Sequence, residues 1–242
     1  MDFTTFSQIF TSAATKNSIS APDTVQMQQF YRFTEHLLEV NAHTNLTAIR
    51  DLSGIVDKHY VDSLMAAEFI PEGARVLDLG CGPGFPSIPL AIIRSDLEIT
   101  ALDSTSKKID FVQKSTEILQ LSNLNAVSGR AEDAKLRKKL GKFDIVVSRA
   151  VARLNILCEL CLPYLKVGGT LIALKGAKFE EELAEAANAI QVLGGKTLKI
   201  EQKELFTTDN QSETRGIIVI QLQKESPAQY PRAYAAILKK PL

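Results

Sequence analysis

Apolar side chains in the first seventy residues recur at helical intervals, without the alternation of a strand. Val25, Phe30, Phe33 and Leu37 fall on one helix face, and Ser20, Pro22 and Asp23 ahead of them form a start signal, with Ser20 as cap and Asp23 three residues on. A polar connector, Asn41 to Thr47, leads to a second helical stretch from about Lys58 to Phe69, whose Tyr60, Leu64 and Ala67 share a face. Pro71, Glu72 and Gly73 then punctuate the chain. From Arg75 the rhythm changes to short apolar runs, read as strands at 75–79, 98–102, 124–128, 143–148 and 169–174. Helical patterns near 86–94, 106–121, 132–140, 154–165 and 178–192 alternate with them. That alternation predicts βαβ units and a parallel sheet covered by helices on both faces. After Gly194-Gly195, runs at 197–206 and 215–223 joined by Thr207 to Thr214 predict a hairpin, so one of its strands runs antiparallel to the rest. The pattern divides the chain into a helical extension (1–72), an α/β domain (73–225) and a tail (226–242).

The chain has 242 residues, 45% apolar and 23% charged, which is enough to bury a large core without disulfides. Cys81, Cys158 and Cys161 are an odd set that fits neither a disulfide framework nor a four-ligand zinc site, so a reducing cytoplasm is expected. The start, Met-Asp-Phe-Thr-Thr-Phe, lacks a basic and apolar leader, and no apolar run is long enough for a membrane span. The 28 basic and 28 acidic side chains cancel, but residues 1–72 hold only 4 of the basic and 9 of the acidic ones. The remainder carries the basic surplus, so a polyanion site belongs there.

Asp-Leu-Gly-Cys-Gly-Pro-Gly-Phe-Pro, from Asp78, joins the first strand of the α/β part to its first helix. Gly80, Gly82 and Gly84 permit a sharp turn and close approach of a ligand to the backbone, at the strand end where parallel sheets bind ligands. The dinucleotide fingerprint requires glycine where Phe85 stands, which disfavours NAD. Asp78-x-Gly80-x-Gly82-x-Gly84 resembles instead the first motif of class I S-adenosylmethionine methyltransferases. Asp103, ending the second strand, is placed to accept ribose hydroxyls, and Arg130-Ala131-Glu132 after the third strand takes the position that faces adenine in such enzymes. The fold this implies is Rossmann-like, with a mostly parallel seven-stranded sheet and an antiparallel hairpin strand.

Further motifs narrow the resemblance: Asn45-Leu46-Thr47, His59-x-x-Asp62-Ser63, the run Gly80 to Ile92, Leu102-Asp103-Ser104 with Lys107, Ser148-Arg149-Ala150 and Leu174-Lys175-Gly176. On these the chain resembles the RsmG (GidB) family of bacterial 16S rRNA guanine-N7 methyltransferases over nearly its whole length. The resemblance implies methyl transfer from S-adenosylmethionine to N7 of one guanine in the decoding-region loop, with 16S rRNA or the small ribosomal subunit as partner. It places cofactor contacts on Gly80, Phe85, Ala131, Glu132 and Arg149, and RNA contacts on Arg130, Arg149, Lys175 and Arg215. Arg149 and Lys175 are the candidate catalytic residues, Arg149 to orient the reacting groups. Family members often end Tyr-Pro-Arg-Lys-x-Gly-x-Pro, whereas Tyr230-Pro231-Arg232 here continues into Ala-Tyr-Ala-Ala-Ile.

The chemistry needs no general base, because guanine N7 carries a lone pair and no proton. Ser-Arg-Ala after the fourth strand offers neither the Asn/Asp-Pro-Pro of amino-methylating enzymes nor a Pro-Cys nucleophile. Cys158 and Cys161 read as buried helix positions, the three histidines lack metal-ligand spacing, and His59 reads as a structural partner of Asp62. The basic run Arg130 to Lys142 is equally a solvated helix face or an RNA contact. Two other functions share the glycine loop: a small-molecule methyltransferase, separated by the absence of salt-dependent binding, and a nucleotide-binding regulator, separated by the absence of turnover. The absence of heptads and of a large apolar stripe fits a monomer.

Overall fold

The computed structural model describes residues 2–242. Helix α1 (Phe3–Lys16) and helix α2 (Thr24–Thr44) precede α3 (Leu52–Ile55), which runs through a π-helical segment (Val56–Val61) into α4 (Asp62–Leu64). Asp23, not Ser20, caps α2, accepting from the Gln26 N–H while the Gln26 side chain accepts from the Asp23 N–H. Asp51 starts the next helix earlier than periodicity suggests, at Leu52. Within the π-helical segment Tyr60 and Val61 are fully buried, while His59 and, just after it, Asp62 line the site at the carboxyl ends of the strands.

The α/β part follows as β1 (Arg75–Leu79), α5 (Ser87–Ile93), β2 (Glu98–Asp103), α6 (Ser106–Leu119), β3 (Leu124–Ser128), α7 (Ala134–Leu140) and β4 (Phe143–Arg149). It ends with α8 (Leu154–Cys161), β5 (Leu165–Lys175), α9 (Phe179–Glu185), α10 (Ala187–Val192), β6 (Gly195–Phe206), β7 (Ser212–Leu222) and α11 (Tyr234–Lys239). The sheet order is β3-β2-β1-β4-β5-β7-β6, with β7 antiparallel to both its neighbours. Pro163 lies in a 3-10 turn after α8, so the helix expected to reach 165 stops at Cys161 and β5 begins at Leu165. The helix expected over 178–192 breaks at Ala186.

One face of the sheet packs against α5, α6 and the N-terminal helices. Phe6, Phe10, Phe30, Phe33 and Tyr60 are fully buried there, with ring centroids 4.8 Å apart for Phe10–Phe30 and 4.9 Å for Phe30–Tyr60. Tyr60 Oη satisfies its polar end against Thr34 Oγ1 at 2.7 Å. The same aromatic set continues onto Phe85 of the glycine loop, 5.6 Å from Phe33. At about 1.5–3 kcal/mol per buried ring, these contacts bind the helical extension and the loop into one core. The opposite face packs against α8, α10 and the tail helix α11, whose Ile237 is fully buried.

Candidate active site at the carboxyl ends of the strands

Parallel strands β1, β2, β3, β4 and β5 end on the same side of the sheet, so Gly80, Asp103, Arg130, Arg149 and Lys175 converge from five separate turns. Arg215 joins them because β7 runs back beside β5, pairing Lys175 with the adjacent Gly216. Two cavities result. The first, about 470 Å³, is lined by Gly80, Gly82, Phe85, Asp103, Arg130, Ala131, Glu132 and Arg149 among others. The second, about 510 Å³, is lined by Lys58, Asp62, Lys175, Glu182 and Arg215, and shares His59, Arg149, Ala150 and Val151 with the first.

The glycine loop is built for approach. A Cβ on Gly82 would meet no atom within 4 Å, so its backbone faces open space, and its φ of +55° suits glycine. Gly80 has φ +79°, and a Cβ there would lie 2.3 Å from Val151 Cγ2. Asp103 accepts the Gly82 N–H at 3.0 Å on Oδ2 and the Thr105 N–H at 2.8 Å on Oδ1, which fixes its carboxylate at the cavity edge. Each oxygen keeps a further lone pair for a ribose hydroxyl. Glu132 and the open cradle at Gly82 complete a set that fits an adenosyl group.

Asp78 and Gly84 do not line either cavity. Asp78 is fully buried beneath the loop, where Oδ2 accepts the Ser87 N–H at 2.9 Å and Oδ1 has no hydrogen-bond partner. Burial pushes its carboxyl up to about 7. Gly84, with φ +99°, lets Ile88 pack 2.5 Å from where a Cβ would stand. Both residues shape the loop from below.

Arg149 is held from the helical extension. Its Nη1 donates to Asp62 Oδ2 and to the Lys58 carbonyl, both at 2.7 Å, and its Nη2 donates to His59 Nδ1 at 3.3 Å. A guanidinium only donates, so His59 Nδ1 carries the lone pair and its Nε2–H donates to Thr47 Oγ1 at 2.8 Å. Burial, then the Arg149 charge, lowers His59 to about 3. The ring stacks on Phe85 at 4.3 Å. Asp62, expected to pair with His59, instead bridges two arginines, because its Oδ1 accepts from Arg215 Nε at 2.8 Å.

Every basic residue expected at the second cavity is therefore engaged. Lys175 Nζ is 2.7 Å from Glu182 and donates to the Ala152 carbonyl at 2.6 Å, and Arg215 also pairs with Glu213 at 2.8 Å. Arg130 stands apart, with a largely exposed side chain 3.5 Å from Glu132. Sequence reasoning missed Asp62 as an arginine clamp, Glu182 as partner of Lys175, and Leu46 and Thr47 as cavity lining. Asn41 explains the last two: it donates to the Thr47 carbonyl at 2.9 Å and accepts its N–H at 3.0 Å, folding the connector over the site. Cys158 and Cys161 are buried and unpaired, as helix positions should be.

A family model described as rRNA small subunit methyltransferase G matches residues 26–210. The chain belongs to that family. Among its relatives, ribosomal RNA small subunit methyltransferase G of Brevibacillus brevis is 44% identical over 223 residues, covering 90% of this chain and 91% of that one. The Lactococcus lactis protein of the same name is 42% identical over 237 residues, covering 96% and 98%. Solved structures share the fold at lower identity. An O-methyltransferase from Bacillus cereus is 18% identical, with a TM-score of 0.54 over 78% of this chain and 90% of that one. A SAM-dependent methyltransferase from Aquifex aeolicus is 15% identical, with a TM-score of 0.54 over 73% and 97%. The class I methyltransferase fold expected from the glycine loop is the fold observed.

Proposed function

We propose that this member of the family methylates N7 of a guanine in the small-subunit rRNA, in its decoding-region loop, with S-adenosylmethionine as methyl donor. The observation that carries this reading is the junction of the two cavities at Arg149: the cavity lined by the glycine loop and Asp103 shares that residue with a second one lined by Lys58, Lys175 and Arg215. Gly80, Gly82, Phe85, Asp103, Ala131 and Glu132 would hold the cofactor, which supplies an electrophilic sulfonium methyl when bound. The target N7 has a lone pair ready, so the chain's task is to orient and desolvate. Arg149, clamped by Asp62 and His59, is fixed where the cavities meet and orients the acceptor base. Lys175 lines the acceptor side and Arg215 sits beside it, while exposed Arg130 engages backbone phosphate. Positioning of this kind is worth effective molarities of about 10⁵–10⁸ M.

No described helix is long and apolar enough to cross a membrane. Mass mapping of 16S rRNA and of small subunits after incubation with the protein and labelled S-adenosylmethionine tests the reading. One labelled methyl on a single guanine of the decoding-region loop is expected, and label on another nucleotide or on no RNA would overturn it. Asp103→Ala should weaken cofactor binding by about 1–3 kcal/mol in calorimetry, the scale of charge-assisted hydrogen bonds.

A further inference from the structure

The chain beyond β7 folds back onto α8 and reaches the first cavity through Tyr234. We propose that Tyr234 forms the adenine-side wall of the cofactor site, an inference that rests on the assignment of the first cavity to S-adenosylmethionine. The two cavities share His59, Arg149, Ala150 and Val151, which marks the reacting end. Tyr234 lines only the first cavity, in common with Ala131, Glu132 and Leu160. Tyr234 and Ala131 also pack against the same apolar cluster, on the α8 face of the sheet, and the Ala131 carbonyl is held there by Tyr164 Oη at 3.0 Å. Tyr234 is thus outside the four shared residues, on the first cavity's side of the junction.

Two anchors fix the ring's position. Ile237 lies one turn after Tyr234, on the same face of α11, and is fully buried in that cluster. Arg232 secures the approach: its Nε and its backbone N–H donate to Glu159 Oε1 at 2.8 and 2.9 Å, and its Nη2 donates to Oε2 at 2.5 Å. Glu159 is fully buried on α8, directly before Leu160 of the cavity wall, so its charge obliges the tail to dock. The departure from the usual family ending begins directly after Arg232, at Ala233 to Ile237. Ala-Tyr-Ala-Ala-Ile is a helix-forming run that presents an aromatic face, and such a face stacks on a purine.

Calorimetry of the full chain with S-adenosylmethionine and with S-adenosylhomocysteine, together with thermal melting in the absence of either, tests the proposal. Tyr234→Leu should weaken both ligands alike by about tenfold, since they share the adenosyl end, while Tyr234→Phe stays within about twofold of the parent. The ligand-free melting temperature of both variants should stay close to that of the parent, because Tyr234 is only half-buried. Parent-like affinity of Tyr234→Leu, with Asp103→Ala still impaired, would overturn the role of Tyr234 and leave the cofactor site standing. Equal loss in Tyr234→Phe and Tyr234→Leu would overturn ring stacking as its basis. Failure of the parent to bind either ligand would remove the cofactor assignment and this inference with it.

Discussion

At the residue scale, the side chain that organises the site is a carboxylate on the helical extension. Asp62 places one oxygen on Arg149 and the other on Arg215, at 2.7 and 2.8 Å, and is itself nearly buried. Loss of its charge leaves two guanidinium groups beside each other with no shared counterion. Asp62→Asn should therefore lower the single-turnover methyl-transfer rate by tenfold or more, about 1.4 kcal/mol, while cofactor affinity changes little. A parent-like rate would show that Arg149 needs no clamp. Half-buried His59 and buried Asp78 also set opposing pH dependences. His59, lowered to about 3, binds a proton more readily when unfolded, so its contribution to stability is lost as pH falls from about 6.5. Asp78, raised to about 7, binds a proton more readily when folded, so its contribution is lost as pH rises from about 4 toward 7. Asp78→Asn keeps an acceptor for the Ser87 N–H without a buried charge. In denaturant titrations it should be more stable than the parent at pH 8, with the gap closing toward pH 4. An equal gap at both pH values would mean that the carboxyl does not titrate in this window.

At the element scale, the glycine loop shows why its three glycines are not equivalent. Gly82 has free space around it and only its φ to satisfy, whereas Gly80 abuts Val151 and Gly84 abuts Ile88. Gly82→Ala should cost about 1 kcal/mol of backbone strain, and Gly80→Ala about 2–3 kcal/mol, because strain is joined by a clash that displaces the segment after β4. Thermal melting of the two variants measures the difference. Equal shifts would mean that Val151 yields freely. The sequence pattern located this loop and its strand–helix setting, since turn chemistry is local. It could not distinguish the glycines, because the atoms that crowd Gly80 arrive from a segment some seventy residues away.

At the scale of the whole molecule, the surplus of basic residues beyond residue 72 is distributed unevenly in its availability. Lys175 and Arg215 spend their charge in largely buried pairs with Glu182, Asp62 and Glu213, whereas Arg130, 3.5 Å from Glu132, keeps a largely exposed side chain. Arg130→Ala should flatten the dependence of log K for rRNA on log salt by roughly one unit. Lys175→Ala should flatten it less, because binding to phosphate would first have to break an ion pair that is largely buried. Affinity titrations at several salt concentrations read both slopes, and a larger change for Lys175→Ala would reverse the assignment of phosphate contacts.

The order of strands and helices, the antiparallel hairpin strand and the adenosyl-type loop were determined by the sequence alone. Each depends on burial periodicity or turn chemistry within about ten residues, and the alternation of strand and helix leaves few ways to close a sheet. Of the residues that the sequence proposed for the site, eight line the first cavity and Arg149, Lys175 and Arg215 line the second, because parallel strands bring their carboxyl ends together whatever the details of packing. Tertiary structure alone decided that Asp62 grips Arg149 and Arg215 across separations of 87 and 153 residues, and that Arg232 docks on Glu159 across 73. It also decided that the helical extension, whose apolar face the sequence could only show to be in need of cover, shares its aromatic core with Phe85. The physical reason is the same in each case. A buried charge or ring is satisfied by whichever partner the folded chain brings within reach, and that partner leaves no periodic trace in the sequence around it.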